Sequence, residues 1–398
     1  MKVRKLKVGK LKVESRMLED EKLKVGWGGP GATGLCGGLV GIGPVTILIA
    51  RNFRLSLMML IMGVFALIFI PSGCTKKSGT LPISSGKTLE LVVVVDRPEG
   101  GKKLPEAMAE VFQSPQPCLN QSEPRFDLLV IPDINFTKLF NTHHNLFLLK
   151  IFPDAEKEGI TISRNVWAQP QVVIALTARN DSSANTLIRS NASALLKACY
   201  ESETKKLALL FARKTPAAIA EGLLQKQGIA LDLPECFYIA ASGSDYFWLR
   251  CRDEEKETGL LTALFPFTDT AAFAAPALIQ LCDSLVSAII PGSRPGSYMT
   301  ICREVPPQAQ QSDINNQFAM ELRGLWETQN DQMGGPFLAY LMPDPSRKHL
   351  LVQFAYVYHP NQPKRDLLMQ METIMRSVSF LSPESLVPSR EGGGNVGG

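Results

Sequence analysis

The chain has 398 residues, with 42 Lys and Arg against 38 Asp and Glu, and its formal charge of +4 is unevenly spread. Residues 1–74 hold 11 of the basic groups and 4 of the acidic ones, so the remainder sets 31 against 34 and is about −3. That balance excludes a basic nucleic-acid-binding domain, and 45% apolar with 20% charged residues excludes a disordered chain.

In residues 1–50, KLKV recurs at Lys5, Lys10 and Lys22 before glycine dominates. The repeats are too short and unevenly spaced for a solenoid. This extension reads as translation from upstream of the true start rather than as a basic arm, and is set aside as no folding unit. Residues 51–73 carry the clearest signal: Arg51 and Arg54, an apolar run from Leu55 to Ile70, then Pro71-Ser72-Gly73 before Cys74. A cationic start, a short apolar segment and small residues make a secretory leader. The run falls short of the roughly 20 apolar residues of a spanning helix. The thiol after the cleavage point marks a lipoprotein, with diacylglycerol on Cys74 and N-acylation after the cut.

Residues 74–87 are rich in Ser, Thr, Gly, Pro and Lys and read as a flexible tether. Two α+β sub-domains are expected after it, at 88–213 and 214–382, and a disordered tail at 383–398. In the first, LELVVVVD at Leu89–Asp96 is a buried strand, Leu104–Gln113 a helix, and strands follow at Phe126–Ile131, Leu146–Ile151 and Val166–Thr177. A long helix is expected from Ser182 to Arg213 with Asp181 as its N-cap. In the second, a helix at Ala217–Gln227 precedes strands at Cys236–Ala241, Tyr246–Arg252 and Gly259–Phe265, and an apolar helix at Ala271–Ile290. Strands at Tyr298–Glu304, Met320–Glu327, Phe337–Met342 and Leu350–Tyr358 lead to a helix with Leu367, Leu368, Met371, Ile374, Met375 and Val378 on one face. Hairpins punctuated by single packing helices predict largely antiparallel sheets, with the two sub-domains similar in style.

Chemistry-bearing residues are sparse. Of eight cysteines, Cys36 lies in the extension and Cys74 is the lipid site. A two-residue loop at Gly243-Ser244 would set Cys236 opposite Cys251, within disulfide range; the others read as small buried hydrophobes. No C-x-x-C spacing argues for metal, no cofactor motif is present, and Asp96 to Lys103 fails the spacing of a phosphate-binding loop. His143 and His144 are adjacent, so on a strand they would face opposite ways. No catalytic residue can be assigned.

The densest cluster is Arg323-Gly324-Leu325-Trp326-Glu327, followed by Asp331 and Met333-Gly334-Gly335-Pro336-Phe337. On a strand, Arg323 and Glu327 share one face and Gly324 and Trp326 the other, while Gly334-Gly335-Pro336 resembles a tight turn. Arg323, Trp326, Glu327 and Asp331 are the candidate binding residues; a buried Trp326 with an internal Arg-Glu pair would instead fix the strand.

WAQPQVV at Trp167–Val173, FWLR at Phe247–Arg250, RGLWE at Arg323–Glu327, MGGPF at Met333–Phe337, and VYHP at Val357–Pro360 with Lys364-Arg365 resemble the signature of a Bacteroidetes lipoprotein family of unknown function. The resemblance runs from about Leu89 to Phe380. It implies an envelope lipoprotein of a Gram-negative bacterium, with no activity or ligand to carry over. The expectation is a non-enzymatic protein held in the membrane by Cys74, binding an envelope protein or polymer or contributing to envelope assembly. The rival is a hydrolase or glycan-binding module acting on envelope polymers. Thr75 in place of Asp after the lipid cysteine points to the outer membrane, and Thr75-Lys76-Lys77-Ser78 lacks an acidic surface-export pair, which points to the periplasmic face.

Overall fold

The computed structural model describes residues 80–346 and 348–381. The extension at 1–50, the leader, Cys74, the first part of the tether and the tail at 383–398 lie outside the described residues.

The first half is built on a five-stranded sheet. Strand β1 (Glu90–Asp96) is followed by helix α1 (Glu106–Phe112), β2 (Asp127–Pro132), the short helix α2 (Lys138–Asn141), β3 (Asn145–Ile151), β4 (Gly159–Arg164) and β5 (Val172–Ala178). The order is β2-β1-β3-β5-β4, parallel in every pairing except the last. The unbroken run of valines in β1 has this cause: a parallel strand is covered on both faces and does not alternate. Val93, Val95, Phe147, Leu149, Ile174 and Leu176 point into the main core, and Val92, Val94, Leu146 and Val173 to the other face.

The helix expected from Ser182 to Arg213 is two, α3 (Asp181–Ser190) and α4 (Ala192–Phe211), separated at Asn191. Its N-cap is Asn180 rather than Asp181. The Asn180 side chain accepts from the Ser183 amide at 2.9 Å in a reciprocal capping box. Asp181 instead binds Arg97 and Lys103.

The second half begins with α5 (Ala217–Gln227), closed by Gly228 in the left-handed conformation. Strands β6 (Ile229–Ala230), β7 (Tyr238–Ser242), β8 (Tyr246–Arg252) and β9 (Glu257–Pro266) lead to α6 (Ala275–Ile289). Strands β10 (Tyr298–Ile301), β11 (Gln308–Ile314), β12 (Gln317–Gln329), β13 (Gly334–Pro343) and β14 (His349–Tyr358) then lead to α7 (Arg365–Arg376) and β15 (Ser379–Phe380). The large sheet runs β10-β12-β13-β14-β9-β8-β7, with β11 also on β12, and every pairing is antiparallel. The α+β class therefore holds with two sheet-rich regions that differ in strand direction.

The large sheet is a layer between two cores. In β13, Phe337, Ala339 and Leu341 face the α6 side, whereas Leu338, Tyr340 and Met342 face α7 and the main core. That main core continues into α1, α3, α4 and the smaller sheet, so both halves bury apolar side chains against one another. Each Leu or Phe so buried contributes roughly 2–3 kcal/mol. Among the described residues, no helix is long and apolar enough to cross a membrane.

Two local expectations are corrected. Gly334 and Gly335 do not turn; they are strand residues of β13 opposite Glu327 and Trp326. The positive φ of the connecting turn is supplied by Asn330. The β7–β8 turn closes between Gly243 and Tyr246, one residue later than expected, and a bulge between Ile239 and Ala241 shifts the register. Cys236 and Cys251 nevertheless form a disulfide, with Cα atoms 5.2 Å apart.

Candidate functional site

Of the four residues singled out from the sequence, Trp326 and Glu327 border one depression, while Arg323 and Asp331 lie elsewhere. Trp326 turns to the α6 face, is 2% exposed, and donates its indole N–H to the Val357 carbonyl at 3.3 Å. Asp331, beyond the strand, accepts from the amide and hydroxyl of Ser293, each at 2.7 Å, and so fixes the loop after α6. Glu327 borders a shallow depression with Trp326, Cys302, Tyr358 and Lys364. Arg323 lies on the opposite face of β12 from Trp326, toward α7, and opens into a cleft between the two halves of the chain.

That cleft, about 500 Å³, is the candidate site. Arg125 and Tyr200 line it from the first half, and Arg323, Arg365 and Arg376 from the second. Amides and hydroxyls of Gln116, Thr204, Gln308, Gln310 and Ser312 complete the wall. Antiparallel pairing sets Glu321 and Arg323 on one face of β12, two residues apart, and α7 brings Glu372 and Arg376 over them, one helical turn apart.

The floor is a closed network. The Arg323 guanidinium donates to Glu321 at 2.6 Å and to Glu372 at 2.7 Å. Arg376 donates to Glu372 at 3.0 Å, and its guanidinium sits over the Tyr340 ring, 5.2 Å from the centroid. The Tyr340 hydroxyl lies 3.0 Å from Glu321 and 3.3 Å from Glu372, and Gln310 donates to Glu321 at 2.8 Å. Burial alone would raise the Glu372 carboxyl, but Arg323 and Arg376 outweigh it and hold it at about 2. Burial would lower the Arg323 guanidinium, and its two carboxylates instead hold it well above its ordinary value. A carboxyl so strongly ionised at neutral pH cannot serve as a general acid.

The walls are not balanced in the same way. Arg365 shares Asp127 and Asp366, each at 2.8 Å, and is fixed at the start of α7, where Glu123 accepts the Lys364 and Arg365 amides at 2.8 and 2.9 Å. Arg125 donates to the Ser114 hydroxyl at 3.0 Å and has no carboxylate within 4 Å among the described residues. Of the four guanidiniums in the lining, Glu321 and Glu372 pair Arg323 and Arg376, and Asp127 and Asp366 hold Arg365, which leaves Arg125 as the one without a carboxylate within 4 Å among the described residues. A cavity with one guanidinium free of any carboxylate, rimmed with amides and hydroxyls, suits an anionic ligand rich in hydroxyl groups.

The sequence pattern did not find this site beyond Arg323. Arg125 lies in a loop, Arg365 and Arg376 bracket α7, and Gln308 to Ser312 belong to a polar strand that no periodicity marked.

A smaller pocket of about 240 Å³ on the α6 side is lined by Trp248, Trp326, Tyr356 and Tyr358. Its polar groups serve one another: Tyr356 donates to Glu257 at 2.6 Å, the Trp248 indole to Tyr356 at 3.2 Å, and Arg250 to Glu257. His143 and His144 do not diverge as strand neighbours. They precede β3 with rings stacked 4.7 Å apart, and bind Glu90 at 2.8 Å and Glu203 at 2.6 Å respectively. Among the described residues, no group of three His, Cys, Asp or Glu could hold a metal ion.

Residues 217–377 match the model of a domain of unknown function, DUF4837, and residues 84–211 match that of a second, DUF8532. No curated protein matches. Among solved structures, the chain is similar to a point mutant of the protein Mog1, at 11% identity over 40% of this chain and 94% of that one, with a TM-score of 0.27. It is similar to the same extent to the Ran-binding protein Mog1p of Saccharomyces cerevisiae, at 11% identity over 39% and 92%, with a TM-score of 0.28.

Proposed function

We propose that this protein is a lipid-anchored component of a bacterial envelope that binds an acidic, hydroxyl-rich envelope polymer without chemically transforming it. The anchor is Cys74, placed by the leader at 51–73 on the mature N-terminus. The working location is the outer membrane, with the domain facing the periplasm. The observation that carries the binding role is the arginine cleft, in which Arg125 stands without a carboxylate while the floor charges are already paired.

Binding is favoured over hydrolysis for a chemical reason. A glycoside hydrolase needs one carboxyl group able to give up a proton to the leaving oxygen. Glu372 is held ionised at about 2 by Arg323 and Arg376. Glu321 accepts from Arg323, Gln310 and Tyr340, donors that occupy most of its acceptor sites.

Two measurements test this. Mass spectrometry of the protein extracted from envelope membranes should find acyl chains on an N-terminal Cys74; an unmodified cysteine would remove the anchor. Titration calorimetry with oligogalacturonate and with its methyl ester should show binding of the acid alone, weakening as salt is raised. Equal binding of both, or release of shortened products, would refute an anion-binding, non-hydrolytic cleft.

A further inference from the structure

The smaller sheet is covered unequally. Helices α1, α3 and α4 pack on one face, while among the described residues the other carries the strap Asp133–Asn141 between β2 and β3, together with Trp167. The strap turns Phe136 and Phe140 inward onto Val92, Val94 and Leu146. Its other two large apolar side chains face solvent, Ile134 at 89% exposure and Leu139 at 77%.

Neighbouring segments extend this apolar rim. Ile83, 73% exposed, is bridged to Gln169, and Ser85 to His143, just after the strap. Trp167 meets the Phe136 ring edge-on at 5.9 Å, and Val166 beside it is exposed. Lys87 and Lys138 are exposed, and neither ammonium is ion-paired among the described residues, although the Lys87 amide donates to Glu90 at 3.4 Å.

We infer that this strap face lies on the lipid surface, with Ile83, Ile134 and Leu139 among the headgroups and Lys87 and Lys138 against their phosphates. The inference rests on the reading of Cys74 as the lipidated residue. Only eight residues lie between Cys74 and Ile83, so a fully extended chain holds Ile83 within about 30 Å of the acyl chains. Once tethered, the face meets the membrane at high effective concentration, so a few aliphatic side chains suffice without strong affinity of their own. Free-standing side-chain tips on a narrow strap suit a fluid headgroup layer better than a protein interface, which needs roughly 800 Å² of complementary surface per partner.

Hydrogen exchange on the full lipidated chain in phosphatidylethanolamine–phosphatidylglycerol vesicles tests this against Cys74→Ser mixed with the same vesicles. Amides at 83–85 and 133–142 should exchange at least about tenfold more slowly in the vesicle-bound protein, while the β7 edge is unchanged. The pair Ile134→Ser and Leu139→Ser, both at exposed positions, should still float with the vesicles yet lose the slowing. A floating protein with acylated Cys74 whose strap exchanges at the soluble rate would overturn the membrane face and leave the anchor standing. Slowing only in native envelope membranes, and not in pure lipid, would overturn it in favour of a protein cover. An unacylated Cys74 with no flotation would remove the anchor and the inference together.

Discussion

Arg323 on β12 and Glu372 on α7 are joined at 2.7 Å across the floor of the cleft, in a contact that ties the large sheet to the last helix. Both side chains are more than four-fifths buried, so the pair is strong only as long as both members are present. Breaking such a pair leaves a desolvated charge without its counter-ion. Glu372→Gln should therefore lower stability at pH 7 by about 3 kcal/mol, read from urea denaturation. A loss below one kcal/mol would show that Glu321 alone satisfies Arg323 and Arg376.

The same carboxyl sets an acid limit. Its folded value near 2 lies below the ordinary 4.5, so its contribution is complete above about pH 4.5 and disappears as the pH falls through 2. Over that window it amounts to roughly 3 kcal/mol. Stability measured by denaturant at successive pH values should fall across this range in the native protein and fall less in Glu372→Gln. Parallel curves for the two proteins would mean that other carboxylates govern acid unfolding.

Arg125 should separate binding from folding. It has one side-chain hydrogen bond, to Ser114 at 3.0 Å, and no carboxylate within 4 Å among the described residues, so Arg125→Gln should cost no more than about 1 kcal/mol of stability. Its loss should weaken oligogalacturonate binding at least about tenfold, the worth of one charge-assisted contact. An unchanged affinity would place the anion elsewhere.

The fold was legible where hydrophobic pattern decides it. Strands β13 and β14 read as apolar runs because both faces are covered, and α7 read as a helix because one stripe meets the core. The direction of β1, β2, β3 and β5 was not legible, since a buried run does not say whether its neighbour is parallel. Strand β11, QAQQSDI, escaped notice because it lies at the sheet edge and is largely exposed. Asn191 split an otherwise continuous helical pattern by a side-chain bond to Leu187 at 2.8 Å, a local competition that periodicity does not register. The cleft was opaque for a different reason: Arg125 and Arg365 are 240 positions apart in sequence, and the start of α7, bound to Glu123, Pro124 and Asp127, brings them together.

The disulfide gives a prediction about redox state. Cys236 and Cys251 close a loop of sequence separation 15, while Cys199, Cys282 and Cys302 are buried and Cys118 is half-buried. Reduction should lower stability by about 3 kcal/mol, the loop-closure entropy of such a crosslink. Burial pushes the Cys282 thiol up to about 12, followed in effect by the nearby Asp283. In the oxidised native protein, iodoacetamide should therefore label Cys118 ahead of the buried thiols. Labelling of Cys118, Cys199, Cys282 and Cys302 at one rate would contradict the burial pattern.

Gly335 is required by a close approach of backbones rather than by a turn. A Cβ there would lie 2.1 Å from the Val357 carbonyl oxygen, the same oxygen that accepts the Trp326 indole N–H. That contact is to backbone and cannot be relieved by a rotamer change. Gly335→Ala should force β13 away from this position and destabilise the protein by about 3 kcal/mol, at the upper end of overpacking costs. Gly334→Ala, whose nearest contact is the Trp326 carbonyl at 3.0 Å, should cost less. Trp326→Phe keeps most of the ring packing but leaves the Val357 carbonyl without its indole donor, at about 1–3 kcal/mol. Because Gly335→Ala already disturbs that carbonyl, the double variant should lose less than the two single losses combined, as measured in a urea double-mutant cycle. Strict additivity would show that the glycine and the tryptophan act on separate parts of the sheet.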